Sequence, residues 1–470
     1  MPDMIPARLE HLVHAASDPV VLARRFAEAG HDLFLVGGSV RDALLDRVDA
    51  DSDLDYATGA RPDEIVSLVS GWADGVHTVG ARFGTVAARR GEVSHEITTF
   101  RSEVYRDDSR KPVVDFSDDL ETDLSRRDFT VNAMALRLLP EPEMVDPHGG
   151  LPDLAAGVLR TPLDPGVSFG DDPLRMLRLF RFVSTLGFRP DPEAVAAVMA
   201  MRERLGIISA ERIRDELVRL LVGDHVEDGL RAMVASGIAG EFLPEVAALS
   251  SQRDPLHRHK DVLEHTVAVV GKTSPDPILR LAALFHDVGK PDTRDYADGS
   301  VSFHHHEVVG ARLTRARMKE LRFANEEVDA VSRLVYLHMR PHTLKMGWTD
   351  RAVRRYVRDA GPLLGHLNTL VRCDVTTRSA KRERAILRRL DELEQRIAEL
   401  REQEELEAMR PPIDGHRVMA YLGVGPGRVV GRAMSMLMEH RIDEGPYDED
   451  EALRLLGEWA AAEGIEVSGE

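Results

Sequence analysis

The chain of 470 residues has a single cysteine, Cys373, and no apolar run of 18 residues. One thiol cannot close an internal disulfide, so the fold does not depend on an oxidising compartment. The missing apolar run excludes a membrane-spanning helix. Asp3, Arg8 and Glu10 leave no room near the N-terminus for the apolar core of a signal peptide. A cytoplasmic protein without membrane partners is expected. Repeats and low-complexity stretches are also missing, and with 43% apolar and 30% charged residues global disorder is excluded. Positive charge is scarce overall: 61 Lys and Arg against 80 Asp and Glu give a net charge of −19, which taken alone counts against a polyanionic partner.

The length is enough for about three domains. LFLVGG (Leu33 to Gly38) is a short apolar run closed by two glycines, and SVRDALL follows with helical character. Strand, glycine turn and helix in that order aim backbone N–H groups at a phosphate. Strand-like stretches follow around Val76 to Val86 and Ser94 to Phe100. Beyond Gly150 the pattern turns helical: LRMLRLFRFVSTLGF, ERIRDELVRLL and ILRLAALFHDVG all space apolar residues at helical intervals. A charge-dense stretch without Pro or Gly runs from Ser379 to Met409, and Pro411-Pro412 ends it. The expected architecture is multidomain. An α/β (α+β) head over residues 1–160 precedes an all-α neck over 161–225, a helical body over 226–378 and a helical tail over 379–470.

Chemistry enters with DSDLDYAT (Asp51 to Thr58). If Asp53-Leu54-Asp55 lies on a strand, alternation puts both carboxylates on one face and Leu54 in the core. Such a pair can hold two Mg²⁺ together with substrate phosphate oxygens. The competing reading is an Asp-rich surface turn, and the glycine turn just upstream favours the metal site.

LVGGSVRDALL, DLDYAT, FRSEVYRDDSRKP, DLSRRDFTVNAMA, DDPLRMLRLFRFVSTLGF and ISAERIRDELVRLL occur in the order seen in class II CCA-adding tRNA nucleotidyltransferases. The chain resembles that branch of the DNA polymerase β-like superfamily over about its first 220 residues. The resemblance implies stepwise addition of C, C and A to the tRNA 3′ end from CTP and ATP, without a nucleic-acid template. It assigns Gly37, Gly38, Arg41 and Asp42 to the phosphate-binding turn and helix, and Asp53 and Asp55 to the catalytic metal. Arg127, Asp128 and Asn132 fall in the motif that contacts the nucleotide's sugar and phosphates. Base recognition falls to DDPLR, where Asp172 and Arg175, three apart, would share a helix face. Carboxylate accepts and guanidinium donates, the complement of the edge that C and A share and that G and U reverse. Arg178 and Arg181 would extend a basic edge towards the primer, and Glu211, Arg212 and Glu216 would buttress it. Asp171 stands where the family usually has Glu. The polar segment from Arg101 to Asp123, a surface loop on its own terms, matches the family loop that switches the site from C to A.

A second constellation, His265, His286-Asp287 and Asp374, resembles the HD phosphohydrolase signature, which holds a divalent metal that activates water. His306 and His338 match additional ligands of dinuclear HD proteins, while His304 and His305 read equally well as an exposed loop. By resemblance this domain would hydrolyse 2′,3′-cyclic phosphates or 2′-phosphates, and Mg²⁺, Mn²⁺ or Ni²⁺ would suit it. Two rivals share these motifs. A bacterial poly(A) polymerase has the same head motifs, but the basic tail typical of it is missing here and VGARFGTV looks like the CCA-adding version. The other is a phosphohydrolase whose head is a regulatory nucleotide-binding module.

The net charge hides an asymmetry. Residues 310–389 carry 19 Lys and Arg against 8 Asp and Glu, a local surplus of 11 positive charges. That stripe includes Arg351, Arg354, Arg355 and Arg358, and Lys381, Arg382, Arg384, Arg388 and Arg389 at its end. A basic stripe on an otherwise acidic protein suits a tRNA backbone.

Overall fold

The computed structural model describes residues 6–47, 53–104, 113–117, 119–251, 262–297, 300–343, 349–375, 379–404, 410–465 and 467. Two compact units result, residues 1–252 with 317–323 and residues 253–316 with 324–470.

Strand β1 (Leu33–Val36) is buried at all four positions. Leu33 and Leu35 join one apolar cluster and Phe34 and Val36 another, so both sheet faces are covered and the strand reads as an unbroken apolar run. Around it lie β2 (Leu54–Thr58), β3 (Gly75–His77), β4 (Thr85–Arg90), β5 (Val93–Thr99), β8 (Ala135–Arg137) and β9 (Glu143–Val145). The order is β3-β4-β5-β2-β1-β8-β9. Within this sheet only β2 and β5 run parallel, with Asp55 opposite Glu96 in register. The stretch expected as one strand over Val76 to Val86 is broken at a 3₁₀ turn, Ala81–Phe83, closed by Gly84 at φ +89°. The segment read as a loop from Arg101 carries instead a hairpin of β6 (Arg101–Val104) and β7 (Val113–Phe116), with residues 105–112 outside the described set.

Helix α1 (Gly38–Leu44) leaves β1 through Gly37, and α2 (Leu120–Ser125) is capped by the Asp119 carboxylate, which accepts from Thr122 N at 2.9 Å. Helices α3 (Pro165–Asp171), α4 (Leu174–Leu186), α5 (Ala210–Leu221) and α6 (Val226–Ala235) also belong to the first unit, with α5 and α6 packed on α4. Gly229 makes that approach possible, since a Cβ there would stand 2.6 Å from Ser184 Cβ.

In the second unit, α7 (Val262–Lys272) and α10 (Asn325–Leu337) pack on α8 (Pro277–Phe285), and α9 (His306–Glu320) begins close to the end of α8. Helices α11 (Asp350–Ala360), α12 (Leu364–Cys373) and α13 (Ala380–Glu404) follow. A bundle of α14 (Gly415–Leu422), α15 (Arg428–Glu444) and α16 (Glu449–Ala462) ends the chain around Val418, Leu437 and Leu456. None of the described helices is long and apolar enough to cross a membrane.

Part of the expected RNA-facing stripe is spent internally. Arg351 pairs with Asp443 at 2.5 Å, and Arg355 and Arg358 with Glu439 at 2.6 and 3.0 Å. Arg354, 6% exposed, donates to the Ile442 carbonyl at 3.0 Å. These four arginines fasten α11 to α15. Lys381, Arg384, Arg388 and Arg389 are on α13, where all four are exposed, and the side chain of Arg382 lies outside the described residues.

Candidate active site and metal centre

Gly37 has φ +69°, a left-handed conformation that favours glycine, and a Cβ there would lie 2.8 Å from Arg127 Nη1. The turn therefore has room for backbone only. Leu54 is buried in the core, while Asp53, one residue before β2, and Asp55 on it border a recess of about 160 Å³ with Gly38, Ser39 and Asp42. Ser39 Oγ accepts from Asp55 N at 2.8 Å and joins the glycine turn to the aspartate strand. Burial, outweighing the Arg127 guanidinium, pushes the Asp55 carboxyl up to about 6, with Glu96 and Asp53 adding to the rise. Asp53 and Asp55, with Glu96 across the strand register, are carboxylates of the kind a divalent cation takes as ligands. Glu96 has no signal in the sequence; the β2–β5 register reveals it.

Beside this recess lies a cavity of about 520 Å³, lined by nine arginines against Asp55, Asp128 and Asp172. Arg41 does not point freely into it. Its Nε and Nη2 donate to Asp42 at 2.8 and 2.6 Å, and its Nη1 to Asn132 Oδ1 at 2.5 Å. Asn132 Nδ2 donates to Asp128 Oδ1 at 2.9 Å, and Arg178 Nε donates to Asp128 Oδ2 at 2.8 Å. Burial alone would raise the Asp128 carboxyl, yet Arg178, the Asn132 hydrogen bond, Arg181 and Arg175 hold it far below the usual range. The sequence-selected Arg41, Asp42, Asp128, Asn132 and Arg178 thus form one network. Arg181 stands 2.6 Å from Glu216 as an ion pair rather than an aligned hydrogen bond, with its guanidinium 3.8 Å above the Phe182 ring.

Asp123, 1% exposed, has no distinguishing mark in the sequence. Its Oδ1 accepts from Arg126 Nη2 at 2.9 Å and its Oδ2 from Arg127 Nη2 at 3.1 Å, which aims both arginines.

Asp172 and Arg175 border the same cavity, but not as neighbours on one helix face. Asp172 is extended (φ −139°, ψ 99°) and α4 starts only at Leu174. Pro173 disfavours helical geometry in the residue before it. Asp172 Oδ1 caps Leu174 N at 3.1 Å and Oδ2 accepts from Arg212 Nη2 at 3.2 Å. Arg175 Nη1 donates to Ser168 Oγ at 3.0 Å, and its Nη2 bonds the Arg126 carbonyl. Arg212, expected only as a buttress, therefore positions Asp172.

In the second unit two sets of groups converge: His265, His286 and Asp374, and Asp287, His306 and His338. Within each set the ligand atoms lie within 4.8 Å of one another. His286, His306 and His338 each direct Nδ1 to the carbonyl three residues earlier, at 2.7, 2.8 and 2.6 Å. A carbonyl only accepts, so Nδ1 carries the proton. Burial pushes His338 down to about 3 and lowers His306 as well, leaving both neutral with bare Nε2 atoms 3.3 Å apart. Two facing lone pairs fit a cation between them. Asp287 Oδ2 lies 3.2 Å from His286 Nε2 and its Oδ1 3.5 Å from His306 Nε2, so one carboxylate faces both sets. His304 and His305 join neither set; His305 is exposed and sits at φ +62°.

Residues 33–160 match the poly A polymerase head domain, 187–249 the probable RNA and SrmB-binding site of polymerase A, and 262–398 the HD domain. The A-adding tRNA nucleotidyltransferase of Deinococcus radiodurans is 35% identical over 447 residues, 91% of this chain and 95% of that protein. The chain belongs to the tRNA nucleotidyltransferase family. Another relative, the CCA-adding enzyme of Streptococcus suis, is 39% identical over 250 residues, 53% of this chain and 60% of that enzyme. The Bacillus stearothermophilus CCA-adding enzyme in complex with CTP shares the fold at TM-score 0.69 and 23% identity, covering 98% of this chain and 99% of that one. The Thermotoga maritima CCA-adding enzyme complexed with tRNA aligns at TM-score 0.56 and 19% identity, over 96% and 98%. This member of the tRNA nucleotidyltransferase family therefore combines the head, the RNA-binding segment and an HD domain in one polypeptide.

Proposed function

We propose that the protein is a CCA-adding enzyme of the cytoplasm, taking CTP and ATP and a tRNA lacking its 3′ end. The observation that carries this reading is the arginine-lined cavity in which Asp55, Asp172 and Arg175 border one space. In the reaction the tRNA 3′ oxygen bonds to the nucleotide α-phosphorus, the α–β phosphoanhydride bond breaks and pyrophosphate leaves. Asp53 and Asp55, with Glu96 beside them, would hold Mg²⁺, which when bound acidifies the attacking hydroxyl and offsets charge on the leaving group. Arg127, held by Asp123, and the Gly37–Gly38 turn address the triphosphate. Asp172 accepts from the exocyclic amine of C or A and Arg175 donates to the adjacent ring nitrogen. G or U would leave these groups unpaired, at about 1–3 kcal/mol each. Arg178 and Arg181 flank the primer side, and Lys381, Arg382, Arg384, Arg388 and Arg389 on α13 engage the tRNA backbone. The four-part division at about residues 160, 225 and 378 assigns chemistry to the head, base choice to the neck, the HD domain to the body and tRNA binding to the tail.

The end-to-end likeness to an A-adding relative favours a second reading, in which only the terminal A is added. One experiment separates them. tRNA transcripts ending before the CCA, after C and after CC are incubated with all four nucleotides and sequenced. CCA on the first supports the main reading, while growth of the CC transcript alone identifies an A-adding enzyme. A long A tract indicates a poly(A) polymerase. No extension at all leaves a phosphohydrolase with a regulatory head. At the HD site, His265, His286, Asp287, His306, His338 and Asp374 would hold a divalent ion for phosphoester hydrolysis, with 2′,3′-cyclic phosphates and 2′-phosphates as the substrates to test.

A further inference from the structure

Exposed large apolar side chains are few among the described residues, and three of them gather at one edge of the head. Val79 is 89% exposed, Phe83 42% and Phe116 41%. Phe83 closes the 3₁₀ turn before β4, and Phe116 ends β7. Gly84, the residue after Phe83, has φ +89°, and a Cβ on it would meet Phe116 Cε1 at 3.0 Å, so the Phe116 ring lies against the glycine that follows Phe83. Each ring carries a cation. The Arg82 guanidinium is 4.6 Å from the Phe83 centroid, and that of Arg61 is 5.1 Å from Phe116.

This patch adjoins the arginine-lined cavity. Arg101 and Thr98 line the cavity, and Arg101 Nη1 donates to the Phe83 carbonyl at 2.5 Å. Thr99 N donates to Gly84 O at 2.9 Å, which fixes the turn level with Thr99. Thr99 is three residues along β5 from Glu96, the register partner of Asp55. At about 3.3 Å per residue that is roughly 10 Å, or about three base steps of 3.4 Å.

We propose that Phe83 and Phe116, with Arg82 and Arg61, form a stacking platform for the unpaired nucleotides just upstream of the reacting 3′ hydroxyl. The inference rests on the transferase reading above and adds the path of the RNA strand. Aromatic rings alternating with guanidinium groups match a single strand, which alternates base faces with phosphates, better than they match an apolar protein surface. Stacking is indifferent to base identity, since every base has a π-face. A platform of this kind holds a 3′ end whose sequence changes as it grows.

The test uses the full-length protein with Phe83→Ala, Phe83→Leu, Phe83→Trp and Phe116→Ala, all checked by thermal melting. With tRNA ending in CC, Phe83→Ala raises the KM for tRNA about 5- to 150-fold, the span that one stacked base commands, and the KM for ATP stays within about twofold. Phe83→Leu behaves like Phe83→Ala, Phe83→Trp restores the wild-type value, and Phe116→Ala acts in the same direction as Phe83→Ala. A tRNA ending in CC and abasic at the third nucleotide from its 3′ end loses the same factor with the wild-type protein and little more with Phe83→Ala. A Phe83→Ala KM within twofold of wild type, a fully active Phe83→Leu, or an undiminished abasic penalty in Phe83→Ala overturns the platform and leaves the transferase reading intact. A folded wild-type protein that extends no RNA overturns both.

Discussion

Replacing Asp128 by Asn tests the central network. The carboxylate is 7% exposed and accepts from Arg178 on Oδ2, and from Phe129 N and Asn132 Nδ2 on Oδ1, at 2.8, 2.8 and 2.9 Å. An Asn that keeps its oxygen towards Phe129 and Asn132 turns its NH₂ onto the Arg178 guanidinium, donor against donor. One charge-assisted hydrogen bond is lost, worth about 1.5–3 kcal/mol, and Arg178 loses its principal countercharge. Breaking a buried ion pair typically costs about 3–5 kcal/mol, which is the expected destabilisation. Because the folded carboxyl titrates far below its unfolded value of about 3.9, its contribution is fully present above that value and is lost only as pH falls through the folded one. The difference between wild type and Asp128→Asn is therefore flat from pH 8 to about 5 and shrinks only below about 4. Urea denaturation followed by tryptophan fluorescence at several pH values measures it. A loss under about 1 kcal/mol, or a difference that grows below pH 4, would refute the proposed balance of burial and pairing.

Further outcomes follow from the same contacts. Gly37→Ala places a Cβ 2.8 Å from Arg127 Nη1 at a left-handed residue, so nucleotide extension falls at least tenfold while the HD unit's metal content is unchanged. Gly289→Ala drives a Cβ to 2.1 Å from the backbone oxygen of His306, where neither partner can yield; metal analysis of the purified variant finds the HD metal lost and the melting temperature lowered. Arg388→Ala with Arg389→Ala raises the KM for tRNA and lowers the slope of its logarithm against log salt by about 1 for each phosphate contact removed, with the KM for ATP unchanged. Ser39→Ala removes the hydrogen bond to Asp55 N, costs about 1 kcal/mol in urea denaturation and slows extension without altering the KM for tRNA.

The parts of the fold that follow from local pattern were legible in the sequence. LFLV followed by Gly37-Gly38 reads as a buried strand entering a phosphate turn, because apolar run, glycine and helix are adjacent along the polypeptide. Asp53 and Asp55 straddle Leu54 by alternation alone. The Asp172–Arg175 spacing points to a shared helix face that does not exist, although Pro173 carries the signal that moves Asp172 off the helix. Arg351, Arg355 and Arg358 look like a free basic stripe, since Glu439 and Asp443, which neutralise them, come about 80 to 90 residues later. Glu96, Asp123 and Ser39 have no distinctive spacing. They matter through strand register, a buried pair of arginines and a single hydroxyl, and all three depend on the tertiary arrangement.

One detail of the second unit reaches beyond its site. His286 and His338 are the residues at which α8 and α10 end, and His306 is the residue at which α9 begins. Each is oriented by the carbonyl of the residue three positions before it. The nitrogens that would coordinate a metal are thus set by helix ends, the places where helices fray first. Loosening any of the three helix ends, even by a substitution a full turn from the nearest ligand, rotates an imidazole out of the cluster. With a divalent ion held there as proposed, its occupancy would report on the secondary structure of the unit and fall as soon as a helix end loosens.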